Sequence, residues 1–200
     1  MRFKAVIIIV VLALSQVFFD SCCKINTSFT INGVSVSNLN NSGSTPEEIG
    51  DTTSNGVSKN AYGIRVFLST SINSSGFVYN TINNLKLIDN SYALGCKQHY
   101  SLTNMIKSFK IFTLNDFDDS HKAGADVTEY FNGLNKEYGP YITIQQKINE
   151  INSLLTDLPE YFDIFLMKPP TENGFFRFKI MIELNDGYIE DLKTENIILF

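Results

Sequence analysis

The sequence predicts a mainly β protein, an immunoglobulin-like β-sandwich with one or two short crossing helices. Several stretches alternate apolar and polar residues with a period of two, which is typical of half-buried strands. Clusters of Asn, Ser, Gly and Pro separate these stretches at short intervals, as turns do between strands. Hydrophobic residues make up 44% of the 200 residues and charged residues 18%. This composition can form a core and argues against wholesale disorder.

The beginning of the chain predicts export. Arg2 and Lys4 precede the apolar run Ala5–Phe19, and Ser21 and Cys22 follow it. A positive head, an apolar stretch of about fifteen residues and a small residue before the cleavage point describe a secretory signal peptide. The Ser-Cys pair is similar to the lipobox of bacterial lipoproteins, which implies that Cys22 becomes the lipidated first residue. An ordinary signal peptidase site or an uncleaved anchor is the alternative.

Domain organisation, charge and cysteine count follow from that leader. We expect a lipoprotein signal peptide over residues 1–21 and a single β-sandwich-like domain over 22–200, with a polar loop at 38–60. Removing the leader changes the formal net charge from −5 to −6 and leaves no Lys/Arg cluster. The sequence therefore argues against a nucleic-acid partner. With Cys22 lipidated, Cys23 and Cys96 remain as a candidate disulfide in an oxidising compartment, or as two free thiols.

The first half of the chain predicts strands around the polar loop. Ile25–Ser37 reads as a strand whose apolar parity changes in the middle, which indicates a bulge. Tyr62–Ser71 alternates cleanly, with Tyr62 and the apolar residues two, four and six places later on one face. Phe77–Ile88 is ambiguous, and Ser91–His99 is a short strand.

The second half adds helices and more strands. Ile106–Leu114 carries large apolar residues on both faces, so we expect a central, well-buried strand. Two capping-box patterns predict helices, a short one from Asp126 through about Asn132 and a longer one over Thr143–Thr156. The remaining predicted strands are Tyr161–Met167, Phe176–Leu184 and Asn196–Phe200, with a turn at Asn185–Gly187.

Four motifs carry a family resemblance: Ser21–Cys23, Ala61–Arg65, Phe112–Phe117 and Leu184–Gly187. Together they resemble small Bacteroidota envelope lipoproteins of about this length. The resemblance implies an envelope location and supplies no reaction, because these motifs are structural.

Few residues suggest catalysis or metal binding. The two histidines are His99 and His121, and His121 ends an acidic stretch. Asp116 and Asp118 begin like a calcium loop, but the later positions depart from the EF-hand pattern. These aspartates are the only metal candidates, and we expect no cofactor. No nucleophile elbow, zinc motif or phosphate-binding loop occurs, so we do not expect an enzyme.

The leading interpretation is a non-catalytic cell-envelope lipoprotein that acts through binding or assembly. An envelope hydrolase using His99 or His121 and a structural, pilus-type subunit that exchanges an edge strand are the alternatives. Besides the membrane, reached through the N-terminal lipid, the partner could be another envelope protein or a glycan. A glycan-binding surface would use exposed aromatic rings. Six tyrosines are available for it: Tyr62, Tyr79, Tyr92, Tyr100, Tyr138 and Tyr141.

Two further expectations concern modification and location. Thr52 lies in Asp51-Thr52-Thr53, which is similar to the acceptor pattern of Bacteroidota O-glycosylation. In the Bacteroidota lipoproteins that this chain resembles, surface export goes with a run of acidic residues close after the lipidated Cys. Here the first acidic residues after Cys22 are Glu47 and Glu48, far along the chain. We therefore expect the periplasmic face of the outer membrane.

Overall fold

A computed structural model describes residues 24–50, 56–75, 97–135, 139–153 and 159–200. In these residues the chain is mainly β, with one short α-helix, α1 (Ile144–Asn152), and a 3-10 turn at Thr128–Tyr130. The strands are β1 (Lys24–Asn40), β2 (Glu47–Ile49), β3 (Tyr62–Ser75), β4 (Lys97–Leu102), β5 (Ile106–Thr113), β6 (Phe131–Leu134), β7 (Tyr141–Thr143), β8 (Tyr161–Leu166), β9 (Gly174–Phe176), β10 (Phe178–Leu184), β11 (Ile189–Lys193) and β12 (Ile197–Leu199).

The described strands form three sheets. The largest has the order β2-β1-β3-β8-β6-β7, with β4 also paired to β1. The second has the order β11-β10-β5, and the third pairs β12 with β9. The pairs with an assigned register are antiparallel, for example Ile64 opposite Ile164 and Ile180 opposite Ile111.

The chain divides into two compact units. The first comprises residues 1–29 and 72–101, and the second comprises 30–71 and 102–200. In the first unit the rings of Phe29 and Tyr100 stack with centroids 6.0 Å apart. The single domain expected over 22–200 stays a prediction, since residues 22, 23 and 76–96 lie outside the described residues.

Aromatic rings join the two larger sheets in the second unit. Tyr62 on β3 stacks on Phe178 of β10 at 5.4 Å, and Phe131 of β6 meets the same ring edge-on at 5.4 Å. Phe109 of β5 lies 6.0 Å from Phe162 of β8. These contacts place the two sheets face to face over a common core, which confirms the predicted β-sandwich.

The period-two pattern of the sequence determines which side chains form this core. On β10 the alternate residues are fully buried, and the alternate residues are also buried over 62–68, the first half of β3. The buried residues of these two strands are Tyr62, Ile64, Val66, Leu68, Phe178, Ile180, Ile182 and Leu184. Successive side chains of a strand point to opposite faces, so one alternating set fills the core and the other meets the outer face.

The predicted helix at Thr143 is confirmed with its capping box. The Thr143 backbone N–H donates to Gln146 Oε1 at 3.0 Å, and Gln146 N–H donates to Thr143 Oγ1 at 3.3 Å. Ile144, Ile148 and Ile151 are buried, as an amphipathic helix requires. The described helix ends at Asn152, and residues 154–156 of the predicted helix lie outside the described residues.

The prediction that Ile106–Leu114 is a central strand is wrong. β5 lies at the edge of its sheet, and β10 is central. The main chain of a neighbouring loop pairs with the free edge of β5. Thr113 N–H donates to Ala125 O at 3.0 Å and Val127 N–H donates to Ile111 O at 2.8 Å, so main chain covers this edge.

The predicted short helix from Asp126 is also wrong. Asp126 Oδ1 accepts hydrogen bonds from the Thr128 N–H at 3.0 Å and from the Thr128 hydroxyl at 2.6 Å. Only a single 3-10 turn follows, Thr128–Tyr130, in which the Tyr130 N–H donates to Val127 O at 3.0 Å. The chain then enters β6, where Phe131 and Asn132 pair with Leu166 and Phe165 of β8. Sheet pairing therefore overrides the local capping signal.

The predicted strand Phe176–Leu184 is interrupted. Arg177 separates β9 from β10, and its N–H donates to Asn115 Oδ1 at 2.9 Å while its carbonyl accepts from Leu114 N–H at 2.9 Å. The two halves pair with different strands, β9 with β12 and β10 with β5 and β11. The turn at Asn185–Gly187 is confirmed, with Gly187 at a φ of 89° that favours glycine.

Candidate functional site

His121 lies in the loop after β5 and is held by Asp118. Asp118 Oδ1 accepts from the N–H groups of Ser120 and His121 at 2.8 and 2.7 Å and lies 2.8 Å from His121 Nδ1. The hydrogen bond from the His121 ring is the main reason why the pKa of Asp118 is lowered from its ordinary value. The ionised carboxylate thus fixes both the turn and the ring orientation.

Tyr130 and Lys168 complete this cluster. The Tyr130 hydroxyl lies 3.2 Å from His121 Nδ1 and accepts a hydrogen bond from Lys168 Nζ at 2.8 Å. This bond raises the pKa of Lys168. The Lys168 ammonium also lies 4.1 Å from the centre of the Tyr130 ring. This ring contacts the rings of Phe117 and His121, with centroid distances of 5.6 and 5.0 Å. Tyr130 is therefore buried and enclosed by its own chain.

The chemistry of this cluster favours a structural role. Asp118, His121 and Tyr130 include groups that acid–base catalysis uses, but a catalytic group has to reach a substrate proton. One oxygen of the Asp118 carboxylate, Oδ1, accepts from loop N–H groups. The Tyr130 hydroxyl accepts from Lys168 and lies 3.2 Å from His121 Nδ1. We therefore interpret the cluster as a clasp that ties the 115–126 loop to the end of β8.

Asp116, the other metal candidate, also binds its own loop. Its Oδ1 accepts from Ala123 N–H at 3.1 Å, and its Oδ2 lies 3.4 Å from Lys122 Nζ. The pKa of Asp116 is lowered mainly by the Ala123 hydrogen bond. Across the ranges that the structure describes, no group of three or more His, Cys, Asp or Glu side chains could hold a metal ion.

Several predicted site residues lie outside the described residues. These are Cys22, Cys23, Cys96 and Thr52. His99 lies in β4, in the first unit, and therefore belongs to a different part of the chain from His121. Lipidation of Cys22, the Cys23–Cys96 pair and glycosylation of Thr52 stay predictions. No helix in the described part of the chain is long and apolar enough to span a membrane.

Only one of the described tyrosines predicted for glycan binding, Tyr141, is exposed. Tyr62 is in the core, where its hydroxyl donates to Asn38 Oδ1 at 2.8 Å and burial raises its pKa. Tyr100 is half-buried and stacks on Phe29. Tyr141 is 44% exposed at the start of β7. Tyr79, Tyr92 and Tyr138 lie outside the described residues.

Tyr141 borders an open cleft in the second unit, at the end of the largest sheet where β3 begins and β8 ends. Its volume is about 120 Å³. Beside the cleft, β3 and β8 lie close together. Gly63 is paired with Phe165, and a Cβ atom added at Gly63 would lie 2.8 Å from Ile164 O. The lining residues are Asn41, Asn60, Ala61, Tyr62, Tyr141, Phe165, Leu166 and Met167.

Three polar side chains of this cleft lack a partner. Among the described residues, the amides of Asn41 and Asn60 and the hydroxyl of Tyr141 make no hydrogen bond. An Asn amide offers two donors and an acceptor oxygen, and a phenol offers one donor and accepts as well. The Tyr141 ring is oriented by an edge contact with Phe165, at 5.8 Å and 74°. Among the described residues that line the cleft, none is Asp, Glu, Lys, Arg or His.

Sequence reasoning singled out Tyr141 and Tyr62 but neither Asn41, Asn60 nor Met167. Asn41 and Asn60 stand near the two ends of the predicted polar loop, and the Asn41 N–H donates to Ala61 O at 2.8 Å, which brings those ends together. In a chain so rich in Asn these two do not stand out. Met167 ends a predicted strand and Lys168 follows it, and neither position carries a motif.

Arg65 is, with Lys147, one of the two most enclosed cations among the described ion pairs, and three of its donor nitrogens bind carboxylates of the chain. Its Nε and one terminal nitrogen bind the two carboxylate oxygens of Asp163 at 2.7 and 2.8 Å, and its other terminal nitrogen lies 3.2 Å from Glu48 Oε1. The hydrogen bond with Asp163 is the main cause that raises the pKa of Arg65. The Arg65 guanidinium also lies 4.0 Å from the centre of the Tyr161 ring. Because these contacts are all made within the chain, we interpret the Arg65 ion pairs as structural.

Comparisons with known proteins add one family. A family described as a domain of unknown function, DUF5034, matches residues 31–194. No curated protein is significantly similar to the chain. Two solved structures are similar at a TM-score of 0.28: a chain titled BspA_C_WT, 14% identical, and the C-terminal domain of the AgI/II polypeptide BspA of Streptococcus agalactiae, 13% identical. Each match covers 84% of this chain. The chain spans about half the length of the two solved chains, 50% of the first and 49% of the second. So low a TM-score does not establish a common fold.

Proposed function

The chain belongs to the DUF5034 family of domains of unknown function, and we propose that it is a non-catalytic binding protein of the cell envelope. The observation that carries this proposal is the cleft beside Tyr141, where two amides and a phenol stand together without partners. Ligand sites combine aromatic surface with a few polar groups that fix orientation, and this cleft has that composition. The groups around His121, by contrast, are occupied by one another.

The proposal places the protein on a membrane through lipid at Cys22. The support is the leader, in which a positive head and an apolar run end at Ser21 and Cys22. The family resemblance implies Bacteroidota, and the absence of carboxylates close after Cys22 favours the periplasmic face of the outer membrane. A single acyl chain gives only marginal membrane binding, whereas several chains on one residue anchor a protein stably.

The tether is tested with Cys22→Ala. Wild type grown with an alkyne fatty acid should be labelled and should sediment with membranes, whereas Cys22→Ala should lose both properties. Cys96→Ala is the matched control and should keep the label. A labelled, membrane-bound Cys22→Ala protein of processed mass would overturn the tether. Proteinase treatment of intact cells then tests the leaflet: digestion with a periplasmic marker left intact would place the protein on the outer surface instead.

Binding is tested by titrating the full chain, labelled with ¹⁵N, with four probe classes: neutral oligosaccharides, uronate oligosaccharides, short peptides and phospholipid micelles. We expect at least one class to shift the side-chain amide signals of Asn41 and Asn60. Tyr141→Ala should weaken that response. If no class perturbs these signals at millimolar concentration, the cleft is not a binding site and the proposal fails.

A further inference from the structure

The cleft beside Tyr141 has a chemistry that selects among ligands. We propose that it binds one ring of a neutral oligosaccharide, an inference that rests on the binding function proposed above. Tyr141 would stack on the apolar face of the sugar ring, and Asn41 and Asn60 would bind its hydroxyl groups. Tyr141 is exposed, and the polar groups of all three side chains make no hydrogen bond within the described part of the chain.

The hydrogen-bonding capacity matches hydroxyl groups. A sugar hydroxyl is both donor and acceptor, and an amide presents both kinds of group side by side. Asn41 and Asn60 therefore can pair with adjacent hydroxyls without a change of protonation. The Tyr141 hydroxyl supplies a third group of the same dual kind. These three side chains have no competing partner in the described part of the chain, so binding breaks no hydrogen bond within it.

The absence of charge in the lining argues against an anionic ligand. Proteins bind carboxylate and phosphate with Arg, Lys or the N-termini of helices. The eight lining residues include none of the charged types, and α1 is not among the elements that line the cleft. A uronate or a phosphate would have to leave water for a site that offers only neutral dipoles, which costs free energy.

The size and position of the cleft argue for one ring and against a peptide strand. Its volume of about 120 Å³ is smaller than the roughly 300–1,000 Å³ of pockets that enclose a drug-sized ligand, so most of a chain would remain outside. A peptide that adds to a sheet needs a lateral strand edge with free backbone groups. This cleft instead lies where β3 begins and β8 ends.

The lining is held in place before any ligand arrives. Phe165 orients the Tyr141 ring, and the bond from Asn41 N–H to Ala61 O fixes the loop end that carries Asn41. Phe165 and Leu166 are buried on β8, and Gly63 lets β3 approach them closely. Preorganisation of this kind reduces the ordering cost of binding, which matters for a small contact area.

The test uses the full chain in detergent and named probes. Four neutral tetrasaccharides serve as ligands: maltotetraose, cellotetraose, mannotetraose and chitotetraose. Tetragalacturonate and tetra-alanine represent the charged and peptide alternatives. We expect at least one neutral tetrasaccharide to shift the Asn41 and Asn60 amide signals and to quench or shift Tyr fluorescence. Tetragalacturonate should bind at least about tenfold more weakly than the best neutral probe.

Variants locate the site. Tyr141→Ala should weaken binding about tenfold or more, the loss typical of removing an aromatic anchor. Tyr141→Phe keeps the ring and should lower the binding affinity only a few-fold. This variant keeps the test valid if Tyr141→Ala folds poorly. Tyr188→Ala is the matched control, because Tyr188 is equally exposed, at 43% against 44%, and lies outside the cleft lining. This variant should bind like wild type.

The outcomes separate this inference from the proposed function. Binding of tetra-alanine or tetragalacturonate at the cleft, with no response to neutral sugars, would overturn the sugar assignment and leave the binding function standing. No response to any probe would overturn both. Sugar binding that Tyr141→Ala leaves unchanged would also overturn the assignment, since the ligand would then occupy another surface.

Discussion

The hydroxyl of Tyr62 offers a sharp test of the core. We expect Tyr62→Phe to destabilise the protein although the ring remains. The ring stacks on Phe178 at 5.4 Å and would keep that contact. The loss comes from Asn38, which is 4% exposed and whose Oδ1 accepts from the Tyr62 hydroxyl at 2.8 Å.

The expected magnitude follows from the partners that the substitution leaves. Asn38 Oδ1 would be buried without its donor, and Thr194, whose side chain also hydrogen-bonds to Tyr62, would lose that contact. An unsatisfied buried polar group costs about 1–3 kcal/mol. The amide nitrogen of Asn38 still donates to Glu195 O at 3.0 Å, so the side chain cannot simply turn to solvent. We expect a loss in the upper half of that range.

Urea unfolding followed by circular dichroism measures the effect. For a chain of this size a loss of about 1–3 kcal/mol lowers Tm by about 2–12 °C. Tyr141→Phe is the control, because it removes an exposed hydroxyl without a partner in the described residues and should change stability by less than about 0.5 kcal/mol. Equal stabilities of the two variants would refute the reasoning about the buried pair.

Three further predictions concern stability. Ile180→Ala should cost about 2–5 kcal/mol in urea unfolding, because Ile180 is fully buried on the central strand β10, and a loss below about 0.5 kcal/mol would contradict that placement. Asp163→Ala should lower the free energy of unfolding by about 1.5–3 kcal/mol, because it removes the carboxylate that binds Arg65 with both oxygens. The same substitution in an Arg65→Met background should cost less, and equal costs in both backgrounds would exclude coupling between the two residues. Since the folded pKa of Asp118 is lowered, its ionised form stabilises the protein above about pH 4, and this contribution is lost as pH falls through the folded pKa. The Tm difference between wild type and Asp118→Asn should therefore shrink between pH 7 and pH 3, and a constant difference would contradict the clasp.

Local patterns predicted the parts of the fold that local forces determine. The alternation along Phe178–Leu184, the capping box of Thr143 and the turn at Gly187 all appear in the structure. Each depends on residues within a few positions of one another, so the sequence displays it directly. The edge position of β5 depends instead on which distant strands pair with it, and alternation does not report that.

The candidate sites were harder to predict because they join distant residues. Asn41, Asn60, Tyr141 and Met167 meet only through the topology of the largest sheet. The clasp joins His121 to Lys168, which lies 47 positions further along the chain. The sequence marked His121 by its acidic surroundings but gave no sign that Tyr130 would enclose it.

The edges of the three-stranded sheet bear on the alternative of strand exchange. At β5, the N–H of Ile111 donates to Thr128 Oγ1 at 2.8 Å and its carbonyl accepts from Val127, so part of this edge is already paired. At β11, Glu190 lies opposite the buried Ile182, which places its carboxylate on the core side of the edge. An inward-facing charge on an edge strand opposes the addition of another strand, because pairing would bury it. Both edges of this three-stranded sheet therefore disfavour strand exchange.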